Sequence, residues 1–281
     1  MKTLVTGGAG FIGHNLVWRL LDEGHEVQSL DNYSTGTVKN EVDGCKYWHG
    51  DISTIDNIDK DYDLIFHLAA QSRVQPSFES PTETFKVNVE GTETVCKFAL
   101  NIGAKVVYAG SSSKHHNPAT SPYAMYKYLG EEVCKLYRKT FDVDVEICRF
   151  YNVYGPKEIV DGDWAAVIGI WRNQVNNNEK ITIVGDGEQR RDFTHVVDIC
   201  DALYKVGMAN EKHSDAWELG TGINYSVNEV YGMFQQKFGS DCTYIPDQKG
   251  NYRQTLRENS DMLERLNWKP EDRLKEYIDS L

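Results

Sequence analysis

Two residues near the middle of the chain, Tyr123 and Lys127, have the types and spacing of an acid/base pair. They are four residues apart in "SPYAMYKYLGEEVCKLY", so on a helix their side chains share one face. An ammonium group beside a phenol stabilises the phenolate and lowers the pKa of the tyrosine. Tyr123 would then exchange a proton nearer neutral pH. A run of three serines ending at Ser113 precedes the pair.

The alternative interpretation of this stretch is a polar loop followed by an ordinary helix. In that case Tyr123 is an aromatic residue on the helix surface, and Lys127 is a solvated charge. Because the spacing of the pair also occurs by chance, the decision depends on the segments that must position it.

The first of those segments is a strand, a glycine turn and a helix, which together form a dinucleotide-binding fingerprint. In "VTGGAGFIG", Gly7 permits a tight turn, Gly10 lets a pyrophosphate approach the helix N-terminus, and Gly13 lets the helix pack closely on the strand. The next strand ends at Asp31, a suitable acceptor for the adenosine ribose hydroxyls. No arginine follows it to receive a 2′-phosphate, which favours NAD over NADP.

Strands and helices alternate through the first half of the chain, which predicts a parallel sheet with helices on both faces. The segments that predict strands are 2–7, 25–31, 63–70, 104–110 and 144–155, and those that predict helices are 11–24 and 81–101. We therefore expect an α/β fold with a Rossmann-type doubly wound parallel sheet.

Beyond residue 155 the pattern loosens and indicates a smaller α/β C-terminal lobe. Helical patterns at 164–175 and 195–208 alternate with strand-like runs at 181–187 and 215–222. We expect residues 1–152, with about 190–222 returning, to form the NAD-binding domain. Residues from about 153–189 and 223–281 would form the substrate-binding lobe.

The composition is that of a globular protein and excludes several partners. The 281 residues carry a formal net charge of -12, so no nucleic-acid partner is expected, because such a partner needs a basic face. Six cysteines without a close pair indicate core thiols in a reduced, cytoplasmic protein. We expect no signal peptide and no membrane-spanning segment. Adjacent His115 and His116 point apart and lack a third ligand, so no metal site is expected.

Nine short motifs follow one another along nearly the whole chain. They are "TGGAGFIG", "LDNYSTG", "GDI", "HLAAQ", "NVEGT", "GSSS", "YAMYK", "RFYNVYGP" and "GDGEQRRDFTHVVDI". In this order they resemble the extended short-chain dehydrogenases/reductases, in particular the nucleotide-sugar epimerases and dehydratases. The ordered set is far more specific than any one motif.

The resemblance implies an NAD site and a substrate site built from particular residues. The cofactor-binding residues would be Gly7, Gly10, Phe11, Ile12, Gly13, Asp31, Asn32, Asp51, Ile52, Leu68, Ala69, Ala70, Asn88, Ser111, Tyr123, Lys127 and Phe150. The catalytic residues would be Ser113, Tyr123 and Lys127, with Ser113 hydrogen-bonding the reacting sugar hydroxyl. A nucleoside-diphosphate sugar would contact Ser113, Asn152, Arg191 and Arg253, with the Arg191 guanidinium on its diphosphate.

The reaction that the resemblance favours is inversion of a nucleoside-diphosphate sugar at C4, in particular of a UDP-hexose. Tyr123 would remove the C4 hydroxyl proton, and hydride stored on NAD would return to the other face of a 4-keto sugar. A 4,6-dehydratase shares the oxidation but commonly carries an Asp–Glu pair directly after its serine or threonine. Because Lys114 and His115 follow Ser113, the sequence favours the epimerase.

Other activities stay open on the same fold. Reductases and 3,5-epimerases of this family usually have a cysteine near the serine, and none lies between Cys96 and Cys134. A decarboxylase or a 2-epimerase would also use the NAD site. The alternative from another class is a catalytically silent NAD-binding regulator, against which the complete serine, tyrosine and lysine set argues.

Two departures from the family pattern bear on specificity. The link "KHHNPATSP" between the serines and the tyrosine is short and lacks a valine-tyrosine-glycine segment. Where many relatives carry Arg-x-Gly-Asp/Glu, residues 248–251 read "QKGN". The resemblance also implies a homodimer, because helices such as those around 84–100 and 123–139 pair between subunits in this family.

Overall fold

The computed structural model describes residues 1–281, which form twelve strands and ten α-helices. The strands are β1 (Lys2–Thr6), β2 (Glu26–Asp31), β3 (Lys46–His49), β4 (Leu64–His67), β5 (Lys105–Ser111), β6 (Val145–Phe150), β7 (Asn152–Tyr154), β8 (Ile181–Val184), β9 (Arg190–His195), β10 (Trp217–Leu219), β11 (Asn224–Ser226) and β12 (Cys242–Ile245). The helices are α1 (Phe11–Asp22), α2 (Val74–Glu79), α3 (Pro81–Phe85), α4 (Gly91–Ile102), α5 (Pro122–Thr140), α6 (Val167–Asn176), α7 (Val196–Met208), α8 (Val227–Phe238), α9 (Asp261–Arg265) and α10 (Leu274–Ser280). None of them has both the length and the apolar content that a membrane crossing requires.

Seven parallel strands form the large sheet, in the order β10-β6-β5-β4-β1-β2-β3. The chain runs from β1 outward to β3, returns to β4 beside β1, and then runs outward in the other direction. This order is the doubly wound arrangement of dinucleotide-binding folds. The predicted α/β fold class with a Rossmann-type sheet is confirmed.

Helices cover both faces of the large sheet. Successive strand residues point to opposite faces, so Leu4 and Ile65 pack under α4 and α5, whereas Val5 and Phe66 pack under α1 and α7. Both faces of the sheet are therefore buried from solvent. This explains why the strand sequences are continuous apolar runs and do not alternate between apolar and polar residues.

The small lobe contains two further sheets and its own core. β9 pairs in parallel with β7 and antiparallel with β11, and β8 pairs in parallel with β12. Apolar residues of α6, α8 and α10, among them Trp171, Phe234 and Ile278, pack together against these strands. The small lobe thus carries a core that is separate from the two faces of the large sheet.

The chain passes between the two lobes more often than the predicted boundaries allow. β9, assigned to the NAD-binding domain, pairs within the small lobe. Met262 and Trp268, assigned to the substrate lobe, are buried on the α1 and α7 face of the large sheet. The Trp268 indole N–H donates to the Asp198 carbonyl at 2.9 Å. Both boundaries are corrected accordingly, because an isolated apolar residue does not reveal which core it fills.

The helix predicted over 81–101 is divided by a π-helical turn at Lys86–Glu90. This turn buries Asn88, whose amide forms two hydrogen bonds with the backbone of Gln71. Asn88 Oδ1 accepts from the Gln71 N–H at 2.8 Å, and Asn88 Nδ2 donates to the Gln71 carbonyl at 2.9 Å. π-turns inside helices often lie at functional sites, and this one fixes the segment that leaves β4.

We predict that Gly13→Ala destabilises the protein by about 1–3 kcal/mol and abolishes dinucleotide binding. A Cβ at Gly13 would lie 2.0 Å from the Gly7 carbonyl oxygen and 2.7 Å from Gly8 Cα, so α1 must move away from the turn. Urea unfolding and titration with NAD measure the two effects.

The matched control is Gly232→Ala, in the exposed interior of α8. A Cβ at Gly232 meets nothing within 4 Å, so alanine should stabilise the protein by roughly 0.5–1 kcal/mol and leave NAD binding unchanged. Equal effects of the two substitutions would contradict the assigned role of Gly13.

Candidate active site

A cavity of about 730 Å³ lies at the carboxyl ends of the large-sheet strands and reaches the small lobe. The segments after β1, β2, β4, β5 and β6 line one side of it. Arg191, Phe193 and Tyr252 of the small lobe line the other side. In doubly wound sheets, ligands bind at this edge, where the strand order reverses direction.

The glycine turn is held in a shape that only glycine permits. Gly7 has φ +78° and its N–H donates to the Leu30 carbonyl at 2.9 Å, while a Cβ on Gly7 would lie 2.9 Å from the Ala69 nitrogen. α1 begins after Gly10 without any side-chain cap, so its first N–H groups stay free for an anion. The turn therefore fits the pyrophosphate of a dinucleotide.

Asp31 lies at the end of β2 and lines the cavity, as the fingerprint predicts. Its carboxylate accepts the Ala9 N–H at 2.8 Å and the Tyr33 N–H at 2.7 Å, and its remaining lone pairs are free for the ribose hydroxyls. Asn32 Nδ2 donates to Asp51 Oδ2 at 3.2 Å, which joins the ends of β2 and β3 on the adenosine side. These residues fit NAD.

Tyr123 and Lys127 lie on the first turns of α5, which Ser121 caps by accepting the Ala124 N–H at 3.1 Å. The Tyr123 N–H donates to Ser77 Oγ at 3.1 Å, and Lys127 Nζ donates to the Ala109 carbonyl at 2.8 Å. Two side-chain contacts thus fix the start of α5 against α2 and β5.

The electrostatics of the pair differ from the sequence expectation. Burial lowers the pKa of Lys127 to about 8, and burial also raises the pKa of Tyr123. The hydrogen bond to Ser111 and the charge of Arg73 partly offset that rise for Tyr123. The Lys127 ammonium donates its hydrogen bond to a backbone carbonyl and not to the phenol. The expectation that Lys127 lowers the Tyr123 pKa is therefore wrong for this structure.

The serine that contacts the tyrosine is Ser111, not Ser113. The Tyr123 hydroxyl lies 3.2 Å from Ser111 Oγ, which also accepts the Ser113 N–H at 3.2 Å. The hydroxyl beside the phenol is therefore that of Ser111, whereas the sequence predicted Ser113 in this place. The positions directly after Ser111 are then Ser112 and Ser113 rather than Lys114 and His115, and neither carries a carboxylate.

Ser113 keeps a place in the cavity wall. The residue is 4% exposed, lines the cavity, and its Oγ has no hydrogen-bond partner. Leaving a buried hydroxyl unpaired costs about 1–3 kcal/mol, so a bound ligand is its expected partner.

Lys114 and His115 point away from the cavity. Lys114 Nζ lies 3.2 Å from a Glu132 carboxylate oxygen, and His115 Nε2 lies 3.0 Å from Glu218 Oε1. Glu218 in turn pairs with the buried guanidinium of Arg149 at 2.9 Å. Lys114 thus ties the link to α5, and His115 ties it to β10 and, through Glu218, to β6; neither residue lines the cavity.

His116 packs instead against residues 248–252, which form the roof of the cavity. Its ring stacks on Tyr252 with centroids 4.0 Å apart at 11°, and the Tyr252 hydroxyl lies 3.3 Å from Thr120 Oγ1. A Cβ on Gly250 would lie 2.9 Å from Val74 Cγ1, so residues 248–252 are packed on α2. This segment covers the site.

Most of the predicted site residues line the one cavity. These are Gly7, Gly10, Phe11, Ile12, Gly13, Asp31, Asn32, Asp51, Ile52, Leu68, Ala69, Ala70, Ser111, Ser113, Tyr123, Lys127, Phe150, Asn152 and Arg191. Asn88 lies behind the wall and positions Gln71. Arg253 is a wrong prediction, because its side chain is 67% exposed and pairs with Asp186 at 2.9 Å outside the cavity.

Arg73 and Tyr252 are among the cavity residues that were not predicted from the sequence. Arg73 is the second residue after "HLAAQ", so its closeness to a cofactor motif was the available signal. Tyr252 had no signal, because its position depends on the packing of the C-terminal segment.

A profile of the NAD dependent epimerase/dehydratase family matches residues 3–220. The chain belongs to this family. NAD is therefore its cofactor, and the protein is an NAD-dependent enzyme whose relatives are named for reactions of nucleotide sugars.

Relatives in this NAD dependent family differ in reaction. A putative UDP-glucose 4-epimerase of Methanocaldococcus jannaschii is 34% identical over 299 residues, covering 98% of this chain and 95% of that protein. A UDP-N-acetyl-alpha-D-glucosaminuronate decarboxylase of Bacillus cytotoxicus is 31% identical over 278 residues, covering 88% and 84%. The crystal structure of the Thermotoga maritima UDP-glucose 4-epimerase with UDP-glucose has a TM-score of 0.91 and 27% identity, covering 99% of this chain and 96% of that one.

We predict that Ser111→Ala lowers kcat on the order of 10²-fold, because it removes the hydroxyl that contacts the Tyr123 phenol. Ser113→Ala should lower kcat far less and leave the melting temperature unchanged or slightly higher, since the Ser113 hydroxyl has no protein partner. Steady-state kinetics and thermal unfolding of both variants measure these effects. A larger loss of kcat in Ser113→Ala would restore the original assignment.

Proposed function

We propose that the enzyme inverts a nucleoside-diphosphate sugar at C4, and that its substrate is a UDP-hexose. The observation that carries the proposal is the contact of Ser111 with Tyr123, beside the NAD site, without a carboxylate at the two following positions. When bound, NAD supplies a reversible hydride acceptor at the end of the sheet. The remaining chemistry is proton transfer at the sugar and belongs to residues of this chain.

Tyr123 is the acid/base of the proposed reaction. As phenolate it accepts the proton of the C4 hydroxyl, and as phenol it returns that proton after the sugar has presented its other face. The Ser111 hydroxyl, which already accepts the Ser113 N–H, donates its own hydrogen to the phenolate or to the sugar oxygen. Lys127, whose ammonium donates to the Ala109 carbonyl, holds the start of α5 and so positions the phenol.

The diphosphate of the substrate would be held by the small lobe. Arg191 lines the cavity, hydrogen-bonds only to the Arg190 carbonyl, and has no carboxylate within 4.0 Å. The guanidinium is partly shielded from water, and this burial lowers its pKa. An anionic diphosphate supplies the missing partner, and the sugar can rotate about this anchor between the two hydride transfers.

A 4,6-dehydratase needs a further acid and base to remove water across C5 and C6. Ser112 and Ser113 occupy the positions where that branch carries an Asp–Glu pair, and hydroxyl groups do not supply this chemistry near neutral pH. The assignment of Ser111 thus gives a stronger argument against a dehydratase than the sequence alone.

We expect purified enzyme with NAD and UDP-glucose in heavy water to give a mixture of C4 epimers without deuterium at C5. Proton NMR of the products measures this outcome across UDP-, GDP-, CDP- and dTDP-sugars. Deuterium at C5 or loss of carbon dioxide without C4 inversion would contradict the proposal.

Tyr123→Phe should lower kcat on the order of 10²–10⁴-fold without releasing NAD. The matched control is Tyr126→Phe on the same helix, because the Tyr126 ring packs on Phe85 outside the cavity. Equal activity of the two variants would contradict an acid/base role for Tyr123.

We also propose that α4 and α5 pair with their counterparts in a second copy. Leu100 on α4 is 40% exposed and Leu136 on α5 is 52% exposed, which is unfavourable for apolar side chains left in water. Multi-angle light scattering should give a dimer for the native protein and a monomer for Leu136→Glu. Val197→Glu, at an equally exposed apolar position on α7, should leave the mass unchanged.

A further inference from the structure

Arg73 is a cation in the cavity wall with no anionic partner in the protein. It lies at the entry to α2, between β4 and the start of that helix. Its Nε donates to the Trp164 carbonyl at 2.8 Å, and its Nη1 donates to the Ser72 carbonyl at 3.2 Å. No carboxylate lies within 4.0 Å of the Arg73 guanidinium. The charge of Glu158 acts on it from farther away, but Glu158 accepts a hydrogen bond from Tyr277 and forms an ion pair with Arg172.

A guanidinium has five N–H donors, so two are used and three remain. The free donors are one N–H on Nη1 and two on Nη2, so a carboxylate or phosphate can accept from both nitrogens at once. An unpaired charge in a partly desolvated wall is costly unless a ligand supplies the opposite charge. The two carbonyl contacts orient Arg73 but do not neutralise it.

The position of Arg73 decides which part of a nucleotide sugar it faces. The Tyr123 N–H donates to Ser77 Oγ, so the helix that follows Arg73 is bonded to the helix that carries the acid/base. Arg73 and Tyr123 line the same cavity from these two joined helices, whereas Arg191 lines it from β9 of the small lobe. We therefore place Arg73 at the sugar end of a bound nucleotide sugar and Arg191 nearer its diphosphate.

We infer that Arg73 binds a carboxylate on C5 of the sugar, so that the substrate is a nucleoside-diphosphate uronic acid. This inference rests on the proposed function, because that function places C4 of the sugar at Tyr123. The ring atoms bonded to C4 are C3, which carries a hydroxyl, and C5, whose exocyclic carbon is the one that can be a carboxylate, so an anionic partner for a cation near the phenol would lie on C5. In a neutral hexose this substituent is a hydroxymethyl group, which would leave the Arg73 charge unpaired.

The test compares the binding of UDP-glucuronic acid and UDP-glucose, which differ only at that substituent. Calorimetry on the full chain loaded with NAD, in a Tyr123→Phe background, gives dissociation constants without turnover. We expect UDP-glucuronic acid to bind roughly 10- to 100-fold more tightly than UDP-glucose. Arg73→Gln should reduce this ratio to about one, mainly by weakening the acid, and Arg73→Lys should retain part of it.

Two further arginines provide controls. Arg191→Gln should weaken both ligands and keep their ratio, and the exposed Arg253→Gln should change neither. The ratio is the decisive quantity, because disturbing the Trp164 segment would weaken both ligands alike and leave the ratio unchanged. A native ratio near one, or a ratio that Arg73→Gln leaves intact, would overturn the inference.

The binding test is separate from the test of the reaction. If C4 is never inverted, the dissociation constants still decide whether Arg73 recognises a carboxylate. If the preference for the acid is absent while UDP-glucose is inverted, the proposed function stands and the substrate is a neutral sugar.

Discussion

The hydrogen bond from the Lys127 ammonium to the Ala109 carbonyl fixes the geometry on which the whole site depends. It joins α5, which carries Tyr123, to β5, which carries Ser111 two residues beyond Ala109. A buried ammonium needs hydrogen-bond acceptors, because an unpaired buried donor is costly. The phenol and the hydroxyl meet at 3.2 Å because the helix and the strand are tied at this point.

The charge distribution of the cavity complements this anchor. The chain has a net charge of -12, yet Arg73 and Arg191 face the cavity without acidic partners. Under the proposals above, these two cations would bind the two anionic groups of one ligand. Charges in a confined cleft act more strongly than charges in water, so an acidic protein can still bind an anion there.

The sheet, the glycine turn, Asp31 and the tyrosine–lysine pair follow from local patterns, and these were predictable. Which serine contacts the phenol was not predictable, because Ser111 and Ser113 would point to the same side of an extended chain. In the structure β5 ends at Ser111 and a 3₁₀ turn begins at Ser112. Arg253 and Tyr252 are neighbours with opposite outcomes, one exposed and one in the cavity. Their difference depends on tertiary packing of a short irregular segment, which no local period reveals.

The stack of His116 on Tyr252 joins two stretches that are far apart in the chain, and neither belongs to the strands that hold NAD. The roof of the cavity is thus built from segments other than the strands and turns that form the NAD site. Under the proposed function, a sequence change at this stack is expected to alter which sugar binds while the Ser111–Tyr123 contact stays intact. The short link after the serines is then a segment in which specificity can change at little cost to catalysis.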